Sequence, residues 1–177
     1  VTSSTVFVGS PNGQYNRSQL LTSYSYAAYD EFRSAKSSRS GIVYVGANDG
    51  MLHGFSDADG NEKLAYVPSM LIGKLGSLAS QSYSHSFYVD GSPEVADVEF
   101  ADAGGGLNWK TVLVSGLRSG GRGVLALNVT DPASFSASNA ASLARWEFGP
   151  DIHQDIGRGV GSPLVVQLNY EIWAGPV

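Results

Sequence analysis

The densest run of potential metal ligands in the sequence is Asp57-Ala58-Asp59-Gly60-Asn61-Glu62. Asp57, Asp59 and Asn61 stand at the first, third and fifth positions of an EF-type loop, where hard oxygen donors wrap a calcium ion. The pattern breaks where such a loop is strictest, because glycine is fourth rather than sixth and Pro68 takes the place of the bidentate twelfth-position glutamate. Asp, Asn and Gly also supply the backbone angles of a tight hairpin turn. Asp57, Asp59, Asn61 and Glu62 are therefore expected to form a turn between two strands, and no metal site is assigned.

Other side chains that could do chemistry are spaced poorly for it. His53, His85 and His153 lack the HxH or HExxH spacing that brings two imidazoles to one metal, and His53 is expected to pack within a strand. No GxSxG nucleophile elbow occurs, and nothing in the spacing joins His85 and Asp90 to a particular serine. The stretches SGLRSGGRG (115–123) and GRGVGS (157–162) lack the GxxxxGK[ST] order of a phosphate cradle, and the first lies between two expected strands rather than before a helix. They read as turns, with Arg118, Arg122 and Arg158 directed to solvent or neighbouring blades. No catalytic or cofactor-binding residue is assigned.

Composition points to what must hold these residues. A chain of 177 residues with 42% apolar and 15% charged residues can bury one ordinary core. Its 22 glycines, with abundant Ser, Val, Thr and Tyr and no sustained helical period, favour short strands joined by tight turns. The net charge of -5 and the scatter of the 11 basic residues give nucleic acid no electrostatic footprint. Without cysteine there are no disulfides or thiolate metal sites, which leaves the compartment open. No run approaches the roughly 18 to 20 apolar residues of a membrane span. The start VTSSTVFVGS has no basic region followed by an apolar block, so the signal peptide of an exported protein would not be included.

Strands are expected at 5–9, 42–46, 51–55 and 63–67, with Asn48-Asp49-Gly50 and 57–61 as the turns of a three-stranded meander. The polar stretch 14–40 has Tyr26, Ala27, Tyr29, Phe32 and Ala35 at spacings that allow a helical connector. Leu71, Ile72, Leu75 and Leu78 predict a helical excursion over 69–80, interrupted at Gly73 and Gly76. Further strands are expected at 93–100, 109–115, 124–129 and 144–148.

The phrases repeat. VFVGSPNG at 6–13 matches VYVGANDG at 43–50, and Gly91-Ser92-Pro93-Glu94-Val95 returns 70 residues later as Gly161-Ser162-Pro163-Leu164-Val165. A repeating four-stranded antiparallel meander is the pattern of a β-propeller. Propellers ordinarily close with about four to eight blades, and this chain holds about two and a half. Such a piece leaves blade edges open, which predicts either a longer protein or self-association to cover them.

YVGANDGMLHGF (44–55), AYVPS (65–69), FYVDGSPEVADV (87–98) and WKTVLVSGLRSGGRGVLALNVTDP (109–132) together resemble the β-propeller domain of the PilY/PilC family of type IV pilus-associated proteins. VFVGSPNGQY and YAAYDEFR resemble that family's approach to its first blade, and the likeness covers residues 1–168. It implies a large, exported bacterial protein of the cell surface, pilus or outer membrane, near the pilus tip, that supports pilus assembly, adhesion and twitching motility. It further implies pilin or minor pilins and a host or surface receptor as partners, with calcium as a family cofactor. The DxDxDGxxD calcium loop of such propellers is absent here, and the chain departs from the family pattern after Gln167-Leu168-Asn169.

The expected fold is thus all-β, a partial propeller of four-stranded antiparallel blades with short helical insertions. It divides into an opening strand and insertion (1–40), a blade with a helical excursion (41–90), a second blade (91–150) and the truncated start of a third (151–177). The expected function is non-enzymatic. The alternatives are a fragment of a quinoprotein-type propeller enzyme, whose cofactor needs a full ring, or a structural piece that self-associates through open blade edges.

Overall fold

The computed structural model describes residues 2–12, 23–101, 107–159 and 161–166. Residues 14–22 of the expected connector and 167–177 of the expected third blade lie outside them. Two four-stranded antiparallel sheets form, each in simple sequential order. The first contains β1 (Val6–Val8), β2 (Ile42–Gly46), β3 (Leu52–Ser56) and β4 (Glu62–Tyr66). The second contains β5 (Glu94–Ala101), β6 (Leu107–Gly116), β7 (Val124–Asn128) and β8 (Ala144–Phe148).

The meander expected over 42–67 gains a fourth strand from β1, which pairs with β2 across the long connection that carries helix α1 (Ser23–Ala35). Helix α2 (Ser69–Leu75) runs through Gly73 without a break and tightens to a 3₁₀ turn at Gly76–Ala79. A third short helix, α3 (Ala140–Leu143), leads into β8. The β2–β3 turn needs Gly50, whose φ of 101° is costly for any residue with a Cβ. The segment SGLRSGGRG ends β6 at Gly116 and reaches β7 through a 3₁₀ helix at Arg118–Gly120, where close packing demands glycine: a Cβ on Gly120 would lie 1.6 Å from the Tyr88 carbonyl oxygen.

Strand alternation sorts the faces. Val8, Ile42, Tyr44, Leu52 and Leu64 from the first sheet share one core with Leu113, Leu125 and Leu127 from the second, closed by Leu71, Tyr88, Val89 and Leu117. The far face of the second sheet is also apolar, with Val112, Val114 and Ala126 packed against Val98, Phe100, Val124 and Val165. Trp146 and Phe148 on β8 are paired opposite Ala126 and Val124 but remain 45% and 39% exposed. The far face of the first sheet carries Phe7, Val43 and Phe55 in one register row, and Val45, His53 and Ala65 in the next.

Candidate functional site

Four carboxylate-centred clusters tie the elements together, and they differ in what surrounds the charge. The one whose hydrogen bonds are all buried from solvent centres on Asp97 of β5. Its Oδ2 accepts from the Tyr29 hydroxyl of α1 at 2.8 Å and its Oδ1 from Thr111 Oγ1 of β6 at 2.7 Å. Tyr29 is held by its ring, which lies 4.6 Å from that of Trp109. Arg39, half-buried, donates to Thr111 Oγ1 at 2.7 Å, to the Gly9 carbonyl at 2.7 Å and to the Thr130 carbonyl at 3.3 Å. Burial lowers the pKa of Arg39 and the Asp97 charge opposes that effect; a guanidinium stays charged regardless. The end of β1, α1, β5, β6 and the segment after β7 thus meet in one network, which positions the two sheets against each other.

Asp90, 4% exposed, accepts from Thr2 Oγ1 and, at 3.3 Å, from the Ser119 amide. The segment preceding it is fixed by Lys74, which donates to the Phe87 and Gly120 carbonyls at 2.6 and 3.2 Å and lies 4.5 Å from the Tyr88 ring centre. Asn48, from the β2–β3 turn, accepts from the Tyr88 amide at 3.2 Å. The acid considered beside His85 is therefore occupied by Thr2 and Ser119, while His85 stands 3.5 Å from Asn48 Nδ2.

Glu147 of β8 reaches across to the other sheet. It accepts from the Tyr66 hydroxyl at 2.5 Å, from the Ser69 amide at 3.0 Å and from Ser69 Oγ. A carboxylate at the start of α2 satisfies an amide that the helix itself leaves unpaired. Burial first, and then the bond to Glu147, push the Tyr66 phenol well above its ordinary pKa.

His53 is where the structure departs most from the expectation of a packing residue. Its Nδ1 lies 2.5 Å from Glu62 Oε1 on β4 and its Nε2 lies 2.8 Å from Asp49 Oδ2 in the β2–β3 turn. Its ring stacks on Phe55 at 5.8 Å. The imidazole side chain is 12% exposed, while the two carboxylates are close to half exposed. Burial lowers the His53 pKa, but the hydrogen bonds to Glu62 and Asp49 outweigh it and leave the group above its ordinary value. With both ring nitrogens engaged by carboxylates, neither is available to draw a proton from a hydroxyl nucleophile.

A β-bulge explains why the sequence concealed this contact. β3 and β4 pair as Leu52 with Tyr66, His53 with Ala65 and Gly54 with Leu64, and then the register shifts so that Phe55 meets Glu62. An unshifted register would set Lys63, a cation, opposite Phe55 and turn Glu62 to the other face. The one signal in the sequence is Asp49 four residues before His53 across a tight turn, which becomes meaningful only once the bulge is known.

The acidic run is a turn. Ser56 N donates to the Asn61 carbonyl and Gly60 N to the Ser56 carbonyl, both at 2.9 Å, and Gly60 has φ of 70°. Asp59 accepts from Asn61 N at 3.1 Å and Asn61 Nδ2 at 2.6 Å, and bonds from Ser56 and Asn61 hold its carboxyl below the usual range. Glu62 is turned to His53, away from Asp57 and Asp59. Among the described residues no three His, Asp or Glu side chains converge as a metal site would require. Arg122 donates to the Gln154 carbonyl at 3.0 Å, and Arg118 adopts a positive φ of 45°. His153 stacks on Phe148 at 6.3 Å.

A cavity of about 570 Å³ lies on the far face of the second sheet, lined by Val98, Phe100, Trp109, Val112, Val114, Trp146 and the 164–166 segment, with Asp97 and Glu99 at its margin. Its walls are those of a blade face rather than of a polar active site. No helix among the described residues is long and apolar enough to cross a membrane.

Residues 1–176 match the family described as the PilY1 beta-propeller domain. A type IV pilus biogenesis factor PilY1 of Pseudomonas aeruginosa is 46% identical over 149 residues, which cover 82% of this chain and 12% of that protein. A PilY1 homolog of Xylella fastidiosa is 37% identical over 174 residues, covering 98% of this chain and 13% of that protein. The crystal structure of the Pseudomonas aeruginosa PilY1 C-terminal domain superposes with a TM-score of 0.64 at 41% identity, covering 92% of this chain and 29% of that one. The chain therefore spans only about an eighth of the length of the curated relatives it matches. Its two sheets are blades of a partial propeller.

Proposed function

The chain belongs to the family of PilY1 beta-propeller domains, and from that premise we propose that it is a non-enzymatic propeller segment of a type IV pilus biogenesis factor, displayed at the bacterial cell surface or pilus. Its role is to hold consecutive blades rigid so that the larger protein can support pilus assembly, adhesion and twitching motility. Pilin or minor pilins and a surface receptor are the partners in this reading. Any calcium dependence of the larger protein is assigned to residues outside the Asp57–Glu62 turn.

The observation that carries the reading is the use made of the buried and part-buried carboxylates. Asp97, Asp90 and Glu147 all connect elements distant in sequence, and their hydrogen-bond partners are hydroxyls and backbone amides rather than groups poised for proton transfer. The exposed apolar face around Trp146 and Phe148 supports the further point that another blade, or a second copy, covers the second sheet.

The test is an in-frame deletion of residues 42–166 within the larger protein in its own host, with surface pili counted and surface levels of the truncated protein followed by immunoblot. The reading predicts a large loss of piliation and twitching although the protein still reaches the surface. Unchanged piliation and adhesion would overturn it.

A further inference from the structure

The far face of the first sheet holds a group that the scaffold reading does not use. A carboxylate accepts hydrogen bonds and cannot donate them unless protonated. An imidazole placed at 2.5 Å from Glu62 Oε1 and 2.8 Å from Asp49 Oδ2 therefore completes both bonds only when both ring nitrogens carry protons. Neutral imidazole has one N–H, so one of the two contacts then becomes a lone pair facing a carboxylate.

We propose that His53 is a proton-operated clasp: as imidazolium it fastens the β2–β3 turn to the bulged end of β4, and loss of its second proton releases one side and loosens that edge strand. The surroundings favour such behaviour. Asp49 is already oriented, since its Oδ1 accepts from the Met51 amide at 3.0 Å. Glu62 sits at the register shift, where the ladder between β3 and β4 is interrupted. Among the described residues β4 is the edge of its sheet and pairs with β3 alone, so no further described strand replaces the lost tie.

The charges that act on His53 come from two elements, Asp49 in the turn and Glu62 on β4. β2 presents Val43 and Val45 in the rows that face it, and β4 places Ala65 directly opposite. Lys63, at the bulge, acts on Asp59 instead, and His85 reaches Asn48 rather than His53. Among the described residues no other cation forms an ion pair with either carboxylate.

The sign is fixed by the direction of the shift. A histidine whose folded-state pKa is raised contributes stability that is complete below the unfolded value of about 6.5 and is lost as pH rises through the folded value. The clasp is closed in mildly acidic surroundings and opens towards alkaline ones. This behaviour stands independently of the pilus reading, because it depends on the His53 contacts alone.

Two measurements on the full chain test it. In an NMR titration, His53 should titrate above the ordinary imidazole value, and Asp49→Asn combined with Glu62→Gln should bring it down to or below that value. Amide hydrogen exchange, corrected for intrinsic rates, should show protection at residues 62–64 falling about twofold from pH 6 to pH 8.5 relative to residues 42–44. The same ratio should stay flat in His53→Gln. A His53 that titrates at or below the ordinary imidazole value overturns the proposal, as does a 62–64 protection ratio that is flat in the unsubstituted chain or falls equally in His53→Gln.

Discussion

Asp97 and the Asp49–Glu62 pair are carboxylate sites in adjacent sheets, yet they solve the problem of a negative charge in opposite ways. Asp97 is 9% exposed and is satisfied by two neutral hydroxyls, from Tyr29 and Thr111, with Arg39 one bond further out. None of these donors is an imidazole. Asp49 and Glu62 are close to half exposed and share one imidazole, a group that changes protonation near neutral pH. The first arrangement fixes the position of one sheet against the other at all physiological pH values, and the second makes the order of one edge strand depend on a proton. The sites differ in burial depth, but it is the identity of the donors that makes one of them depend on a proton.

The largest effect should come from breaking the buried site. Asp97→Ala strands the Tyr29 and Thr111 hydroxyls and removes the charge that faces Arg39, and should destabilise the chain by about 3 kcal/mol in denaturant unfolding. Tyr29→Phe keeps the ring against Trp109 while removing one charge-assisted bond, and about 2 kcal/mol is expected. If the two losses add fully in the double variant, the sites are not one network, because coupled groups should fall short of additivity.

Glu147 sharpens the comparison as an intermediate case, a part-buried carboxylate that joins the sheets by meeting Tyr66 and the start of α2. Glu147→Gln keeps an acceptor but removes its charge, and a loss of about 1 kcal/mol is expected in the same assay. His53→Gln should cost about 0.5 kcal/mol near pH 6, since half-exposed carboxylates are well screened, and nothing measurable at pH 8.5. Tyr44→Phe makes the control with the smallest change. The Tyr44 hydroxyl is buried and has no hydrogen-bond partner among the described residues, so its removal should leave stability equal or slightly improved.

The repeated phrases made the sheets legible. Short β-branched runs ending in Gly-containing turns set the strands to within about two residues, and alternation assigned most of the core. The resemblance to pilus-associated propellers rested on the same phrases. What remained hidden depended on register and on long-range closure. β1 reads as a separate opening strand because the connection carrying α1 separates it from β2, although they are neighbours in the sheet. Gly73 reads as a helix breaker, but α2 is anchored at its start by Glu147, from far along the chain, and runs through it. The His53 site needed a one-residue shift between β3 and β4, which no local pattern announces. Tyr29, Asp97 and Thr111 come from three elements, and their polar atoms meet only when α1 packs on β6.

The contrast between a proton-independent tie and a proton-dependent one can be read from a single experiment: the unfolding free energy of the unsubstituted chain and of His53→Gln, measured side by side from pH 5.5 to 8.5. The difference between the two curves should be full at the acid end, below about pH 6.5, and close to zero at the alkaline end. Parallel curves, or a difference that grows as the pH rises, would contradict the assignment of His53 as the proton-dependent tie.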